Sequence, residues 1–191
     1  MEDIFAVQDD ITQTVVGAIA PELSLAEQER ARRKPPESLD AWEYCQRGFW
    51  HLWRYQKDDN AEAKRLLQRA TEIDPNLALA FAALAFAHLQ DFALGFSDDP
   101  PAAIEGTMQC AEQALKLDAR EAIAYNMRGG AHLFRREHSA ARNDLETALD
   151  IDPSLAFARM TLGMGHVWCN EPDDSIPYFD EAERLIPTVI N

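Results

Sequence analysis

Cysteine and basic residues are both scarce in this chain of 191 residues. Its three cysteines, Cys45, Cys110 and Cys169, are widely spaced and fit neither a disulfide framework nor a paired zinc motif, so we interpret them as reduced thiols of a cytoplasmic protein. Eighteen lysines and arginines face 33 acidic residues, which gives a net charge of −15. This charge argues against nucleic-acid binding, because that function requires a basic surface to replace the phosphate counterions.

Long hydrophobic runs and secretory signals are also absent from the sequence. The longest apolar run, residues 77–87, is far shorter than the roughly 20 residues that cross a bilayer. Residues 1–3 are Met-Glu-Asp, which is acidic where a signal peptide is basic. The sequence therefore predicts neither secretion nor membrane insertion.

Motifs typical of catalysis are missing as well. The chain has no His-Glu-x-x-His motif and no glycine-rich phosphate loop followed by lysine. Cys169 follows His166 by three positions, but no oxyanion loop accompanies the pair, and we expect ordinary helix packing there. We therefore predict no catalytic residues, no cofactor and no metal site.

The clearest positive pattern is a spacing of 34 positions near the carboxyl end. A fixed period of this length indicates a repeat architecture, in which each unit buries its apolar face against its neighbours. The pattern consists of Tyr125, Gly129, His132, Ala141, Leu145, Ala148 and Pro153, followed 34 positions later by Arg159, Gly163, His166, Ser175, Phe179, Ala182 and Pro187.

These residues resemble the tetratricopeptide repeat (TPR), a helix–turn–helix unit with small residues and a terminal proline at fixed positions. The resemblance implies an all-α fold, a right-handed superhelical array of antiparallel helix pairs. We expect an N-terminal amphipathic helix and charged linker in residues 1–36 and a TPR array in residues 37–191. The array would contain about four repeats, approximately at residues 41–76, 77–120, 121–154 and 155–188.

Two of the repeats contain extra residues. The first has three more than the third, most simply in the turn near Gln56–Asn60. The second has ten more, around Asp91–Pro101, where the apolar residues Phe92, Leu94 and Phe96 are expected to extend the helix or to pack as a lip. No polar capping helix follows Pro187, so we expect the chain to be a segment of a longer protein or to cover that end in an oligomer.

Small residues and histidines recur in fixed slots of the four repeats. Gly48, Ala85, Gly129 and Gly163 are expected where the two helices of a repeat approach closely. His51, His88, His132 and His166 occupy a slot that normally holds an aromatic residue. We expect these imidazoles to pack between the helices of their own repeats rather than to bind a metal.

The TPR resemblance also implies a binding surface. In that family, particular positions of each first helix line the concave side of the array, and here those positions are mostly aromatic and aliphatic. Only Asn126 matches the polar residues with which some TPR domains bind terminal carboxylates. About half of the set is expected to be core between repeats. The predicted groove residues are Trp42, Phe49, Trp53, Phe86, Asn126, Leu133, Phe134, Phe157, Met160, Met164 and Trp168.

An apolar groove of this kind suits an apolar peptide or helix from a protein partner. The nearest candidate is the chain's own N-terminal helix, Ile4 to Ile19, in which Ile4, Val7, Ile11, Val15 and Ile19 form a stripe at helical spacing. A neighbouring subunit could supply the same segment, which would give a homodimer.

Residues 3–11 and 35–42 are similar to segments that join a signalling region to C-terminal TPRs in bacteria. Such segments occur in proteins resembling class III adenylate or guanylate cyclases, and in TolB-like regulators with a winged-helix domain. No residues of this chain match a cyclase's metal-binding or purine-binding groups. The resemblance therefore implies a noncatalytic interaction scaffold, with the regulatory C-terminal part of a nucleotide cyclase as the alternative.

Overall fold

Eight α-helices and no strands make up residues 40–185 of the chain. The structure is a computed structural model that describes residues 23, 26–28 and 40–185. The N-terminal helix expected at Ile4 to Ile19 lies outside these residues. The helices are α1 (Ala41–Leu52), α2 (Lys57–Ile73), α3 (Ala78–Ala93), α4 (Pro100–Leu117), α5 (Ala122–Phe134), α6 (His138–Ile151), α7 (Ala156–Trp168) and α8 (Pro172–Leu185).

The array begins with a capped helix. Asp40 accepts a hydrogen bond on Oδ1 from the Glu43 backbone N–H at 2.8 Å, and Glu43 accepts one on Oε2 from the Asp40 N–H at 3.2 Å. This reciprocal capping box satisfies two backbone donors that α1 itself leaves unpaired, which is typically worth about 1 kcal/mol. The first turn of the array is thereby fixed by local sequence.

Within each of the four successive pairs, the helices pack closely, and the predicted small-residue slots explain how. A Cβ atom added at Gly48 would lie 2.6 Å from Leu67 Cγ, and one at Gly129 would lie 2.7 Å from Leu145 Cγ. At Gly163 the same atom would lie 2.8 Å from the Phe179 ring. The close approach expected at these slots is confirmed, because no side chain larger than hydrogen fits without movement.

The pairs are arranged in two layers. Each first helix contacts the first helix of the next pair (α1 with α3, α3 with α5, α5 with α7), whereas the second helices make no comparable contact with one another among the described residues. Because the first helices lie closer together, they form the inner side of the curved array. The predicted all-α array of helix pairs is confirmed.

The extra residues of the first and second pairs are mainly helical. Helix α2 has 17 residues where α6 has 14, so the additional residues form a turn at its start rather than a longer loop. Helices α3 and α4 have 16 and 18 residues where α5 and α6 have 13 and 14. Phe92 lies within α3, as expected from its apolar character. The remaining extra residues form the turn at 94–99.

The added turn of α2 carries a buried polar contact to α3. Asn60 Nδ2 donates to the Ala87 carbonyl at 3.0 Å and to Asp91 Oδ1 at 2.6 Å, and Lys64 Nζ pairs with Asp91 Oδ2. The Asp91 backbone oxygen in turn accepts from the N–H groups of Phe96 and Ser97. The insertions of the first two pairs therefore support each other.

None of the helices within residues 40–185 combines the length and the apolar character that a membrane-spanning segment requires.

Candidate functional site

The inner layer exposes an unusual amount of apolar surface. Among the predicted groove residues, Trp42, Trp53 and Trp168 are each about 44–45% exposed, and Met160 and Met164 are 37% and 38% exposed. We call the following set the first-helix surface: Trp42, Trp53, Phe134, Phe157, Met160, Met164, Val167 and Trp168. All of its members lie in the first helices or, for Trp53, at the cap that ends α1.

A cluster of three rings crosses this surface, and we call it the central ring cluster. Trp53, Phe86 and Phe157 come from the first, second and fourth pairs. The Trp53 ring centroid lies 5.4 Å from that of Phe86 and 6.3 Å from that of Phe157, and the two phenylalanine rings are 5.2 Å apart. These tilted and edge-on geometries are the favourable ones for aromatic pairs, worth about 0.5–1.5 kcal/mol each beyond area burial.

A second group, the terminal ring cluster, lies at the carboxyl ends of the first helices. Phe134 is 4.6 Å from Phe92 and 5.2 Å from Trp168, measured between ring centroids. Phe92 belongs to the insertion of the second pair, so this insertion packs against the inner layer. Phe92 thus both extends its helix and packs against a neighbouring ring, in agreement with the expectation that it extends the helix or packs as a lip.

Helix α7 presents a continuous apolar stripe beside these clusters. Met160, Met164, Val167 and Trp168 are separated by four, three and one positions, the spacing of one helix face. All four side chains are more than a third exposed. Methionine is unbranched and polarisable, so such a stripe adapts to partners of different shape.

The remaining predicted groove residues are buried in the inner layer. Phe49, Phe86 and Leu133 belong to the core, with exposures below 8%. The sequence-based expectation was that about half of the groove positions would be core. Phe86 combines both roles, because its ring packs in the core and also contacts Trp53 on the surface.

Asn126 is buried rather than exposed in the groove. Only 1% of its surface is accessible, and neither its Nδ2 nor its Oδ1 has a protein hydrogen-bond partner. Asn126 belongs to α5, which packs between α3 and α7. The rings of Phe86 on α3 and Phe157 on α7 contact each other across α5. Leaving a buried amide unpaired costs about 1–3 kcal/mol for each group, so this position is polar at the expense of stability.

The segment that precedes the array touches the first-helix surface at one described point. Trp42 Nε1 donates a hydrogen bond of 2.6 Å to Glu27 Oε2. The neighbouring Gln28 is only 3% exposed. This contact brings residues 26–28 to the amino end of α1, on the side where Trp42 is presented.

Three of the four histidines in the repeat slot pair with an acidic residue of their own repeat. His51 Nδ1 lies 2.7 Å from Asp59 Oδ1, His132 Nδ1 lies 2.5 Å from Glu137 Oε2, and His166 Nδ1 lies 3.1 Å from Glu171 Oε2. His88 instead faces Gly106, whose missing side chain leaves room for the ring. Burial and Lys64 lower the pKa of His88, and Asp91 opposes that shift.

The cysteines are free thiols, and two of them are chemically inert. Burial raises the pKa of Cys45 far above its usual range, with a further contribution from Glu121. Burial also raises the pKa of Cys110 to about 11. A thiol that stays protonated is neither a nucleophile nor a good metal ligand, so these two residues fit a packing role.

Helix pairs, close-approach glycines and an inner layer of apolar first helices together define a helical-repeat protein of the TPR type. Comparison with solved structures supports this class. TTC0263 from Thermus thermophilus, described as a thermophilic TPR protein, superposes with a TM-score of 0.71 at 15% identity, covering 93% of this chain and 92% of that one. The chain therefore has the TPR fold.

Two further solved structures share the fold. PilF from Pseudomonas aeruginosa has a TM-score of 0.57 at 25% identity, covering 83% of this chain and 62% of that one. MamA has a TM-score of 0.51 at 18% identity, covering 85% of each chain. These similarities concern the fold, and the chemistry of the surface depends on the residues of this chain.

At the level of sequence, no family model matches the chain. Over 121 residues it is 32% identical to the protein named "Putative adenylate cyclase 3" from Rhizobium meliloti (strain 1021). The match covers 63% of this chain and 21% of that protein. The chain thus spans about a fifth of the length of this curated relative.

Two aromatic residues beside the surface were not among the predicted groove residues. Phe92, which was expected to extend the helix or to pack as a lip, completes the terminal ring cluster. Tyr55 adds an edge-on ring contact to Trp53 at 6.3 Å. The Tyr55 contact depends on the turn after α1 and has no periodic signature.

Proposed function

We propose that this chain is a noncatalytic protein-interaction module whose first-helix surface binds an apolar helical segment. TPR folds are scaffolds on which binding surfaces are built, so the function depends on the exposed residues. The observation that carries the proposal is the stripe of four exposed apolar side chains on α7, continuous with the two ring clusters. Monomeric proteins rarely leave such a contiguous apolar patch uncovered.

The occupant we favour is residues Ile4–Ile19 of the chain itself. Their apolar residues repeat at helical spacing, which suits the i, i+3, i+4, i+7 anchors of a helix bound in a groove. The Glu27 to Trp42 hydrogen bond supports this choice, because it anchors the chain a few residues further on beside α1. Glu27 lies eight positions after Ile19, and a chain of that length reaches up to roughly 28 Å.

Hydrogen exchange of the full chain tests the occupant. We expect slow amide exchange in residues 4–19 of the unmodified protein and faster exchange in a Trp53→Ala, Trp168→Ala double variant. Ile73→Ala is the matched control, since Ile73 is 42% exposed on the second helix α2, outside the inner layer. Fast exchange throughout residues 4–19 in the unmodified protein would contradict the intramolecular occupant.

Light scattering distinguishes the chain's own segment from that of a second copy. Slow amide exchange in a monomer supports docking of the segment within one chain. Slow amide exchange in a dimer that dissociates in the double variant supports docking of the segment on the second copy. If neither the oligomeric state nor the capture of any partner depends on Trp53 and Trp168, the first-helix surface is not the binding surface.

A second candidate function is the regulatory C-terminal part of a nucleotide cyclase. The observation that favours it is the 32% identity over 121 residues to the adenylate cyclase named above. Reading the genomic sequence upstream of the Met1 codon tests it directly: an in-frame or adjacent class III cyclase domain supports this role, and its absence favours a separate adaptor. Cyclase turnover by this chain alone would contradict a noncatalytic module.

A further inference from the structure

A cluster of three potential metal ligands lies at the turn between α7 and α8, away from the first-helix surface. His166, Glu171 and Asp174 place one ligand atom each within 4.8 Å of one another. His166 is buried, with 9% exposure, whereas the two acids are accessible to solvent. An ion would therefore reach the two carboxylates from solvent and meet the imidazole at the base of the site.

Backbone hydrogen bonds fix the turn that carries these groups, and a ring contact orients the histidine. The Glu171 backbone N–H donates to the His166 carbonyl at 2.9 Å, and the Asp174 N–H donates to the Glu171 carbonyl at 3.2 Å. The His166 ring stacks on Tyr178 with centroids 5.2 Å apart and an interplanar angle of 18°. Ligands that are oriented in advance lose little conformational entropy when they bind.

Comparison with the other repeats shows what is particular about this turn. The third repeat has the same histidine and acid, His132 and Glu137, with the same 2.9 Å backbone hydrogen bond across the turn. The position equivalent to Asp174 is Ala140 there, so the carboxylate of that position is missing. In the first repeat, the acid that pairs with His51 is also bound by Arg54 at 2.9 Å, which occupies it with a cation.

A cleft of about 190 Å³ opens beside His166 and is also lined by His138, Arg142 and Cys169, but by neither of the two acids. The Nδ1 atom of His138 is buried and has no hydrogen-bond partner. The candidate ligands are therefore His166 and the two acids alone. Arg142 approaches Glu171 only to 3.9 Å, and both side chains are about half exposed, so this pair offers little competition for an ion.

We propose that His166, Glu171 and Asp174 form a binding site for a divalent transition-metal cation of the Zn²⁺ type. One imidazole nitrogen with two carboxylate oxygens is a donor set that suits Zn²⁺, whereas Mg²⁺ and Ca²⁺ take oxygen ligands alone. The two carboxylates neutralise the charge of the ion. Bound there, the cation links the end of α7 to the first turn of α8 and stabilises the last helix pair.

Calorimetric titration of the full, untagged chain with ZnCl₂ tests the proposal. We expect one Zn²⁺ per chain with a dissociation constant on the order of micromolar. Asp174→Asn keeps the size of an exposed side chain and is expected to weaken binding at least roughly tenfold, because loss of a partner that only orients a ligand already costs that much. His166→Phe, which restores the aromatic residue typical of this slot, is expected to abolish saturable binding.

Glu137→Gln in the third repeat is the matched control, because it removes the equivalent acid from a turn in which Ala140 replaces the aspartate. It should bind Zn²⁺ as the unmodified chain does, and the visible absorption of Co²⁺ in the same site should show the same ranking of variants. Absence of saturable binding at up to roughly 1 mM Zn²⁺ would overturn the proposal. Binding that is unchanged in Asp174→Asn would overturn it as well.

Discussion

Arg128 and Asp144 form a bidentate ion pair between the two helices of the third pair. Arg128 Nε and Nη2 each donate to one oxygen of the carboxylate at 2.7 Å, and Asp144 is only 4% exposed. His132 Nε2 lies 3.6 Å from the same carboxylate, and the Arg128 guanidinium also lies over the Tyr125 ring. The Asp144 carboxylate is thus tolerated in the helix interface because the Arg128 guanidinium neutralises its charge there.

Arg128→Leu should therefore destabilise the protein strongly. It leaves the Asp144 carboxylate buried without its main partner, which costs roughly 3 kcal/mol of unfolding free energy. Urea denaturation measures this loss. Arg69→Leu is the control, because its ion pair with Glu72 is exposed to solvent on both sides and should contribute little to stability. An equal loss in the two variants would contradict a structural role for the buried pair.

Gly129→Ala should lower stability although alanine favours helices. The added Cβ would lie 2.7 Å from Leu145 Cγ and 3.3 Å from the Ala141 carbonyl oxygen. Overpacking costs about 1–3 kcal/mol, against a gain of about 1 kcal/mol in helix propensity, so a net loss of about 1 kcal/mol is expected.

Gly165→Ala is the matched control for that substitution. Its Cβ would come no nearer than 3.3 Å to the flexible end of Leu133, so the propensity gain should leave it neutral or slightly stabilising. Combining Gly129→Ala with Leu145→Ala should cost less than the sum of the two single losses, because the clash is removed. If the two single losses of unfolding free energy, measured by thermal or urea denaturation, add up strictly in the double variant, the clash between position 129 and Leu145 is not the cause.

Acidification below about pH 6.5 should destabilise the fold through His88. Burial and Lys64 lower its pKa in the folded chain from the ordinary value of 6.5, so the unfolded chain takes up the proton first. The stability contribution is present above pH 6.5 and is lost as the pH falls toward the lower, folded-state pKa. His88→Phe should reduce the slope of unfolding free energy against pH in this window.

The slope is the appropriate measurement because a change in packing shifts stability equally at every pH. Free energies of unfolding from urea titrations between about pH 7.5 and 5 provide it. An unchanged slope in His88→Phe would mean that other groups cause the acid sensitivity. Gly106 faces the ring, so the phenylalanine has room in the folded state.

Arg136 adopts a left-handed backbone conformation, and the substitution Arg136→Asn should reduce the strain of that conformation. Its φ is +61°, as Asn170 has +63° at the equivalent turn of the fourth pair. Side chains other than Gly and Asn adopt this region at a cost of about 1 kcal/mol. Arg136→Asn is expected to raise the free energy of unfolding by about 0.5–1 kcal/mol, and Asn170→Arg to lower it by a similar amount. Changes of the same sign in both variants would refute this account.

Periodic features of the chain could be predicted from the sequence, because each repeat reuses the same local packing. The close approach at Gly129 and Gly163 follows from the single spacing of 34 positions that separates them. The conformation of segments that depart from the period was harder to predict. The extra residues near Gln56–Asn60 were expected in a turn, yet most of them lengthen α2, because Asn60 bonds to α3 there.

The sequence predicts which residues lie on the candidate surface, but it does not predict which of them contact one another. Spacing placed Trp53 and Phe157 on the inner side, and both are found there. Their ring contact depends on how tightly the array curves, which no local pattern encodes. Asn126 shows the same limit, since its slot predicted a polar group facing the groove and the curvature buries it.

The central ring cluster also changes how the array should unfold. In an ideal repeat protein each unit contacts only its neighbours, so stability is a sum of nearest-neighbour terms and the ends can fray independently. Here Trp53 from the first pair touches Phe157 from the fourth. This contact joins the first pair to the fourth, so we expect loss of one end to weaken the other and the array to unfold more cooperatively than one with nearest-neighbour contacts alone.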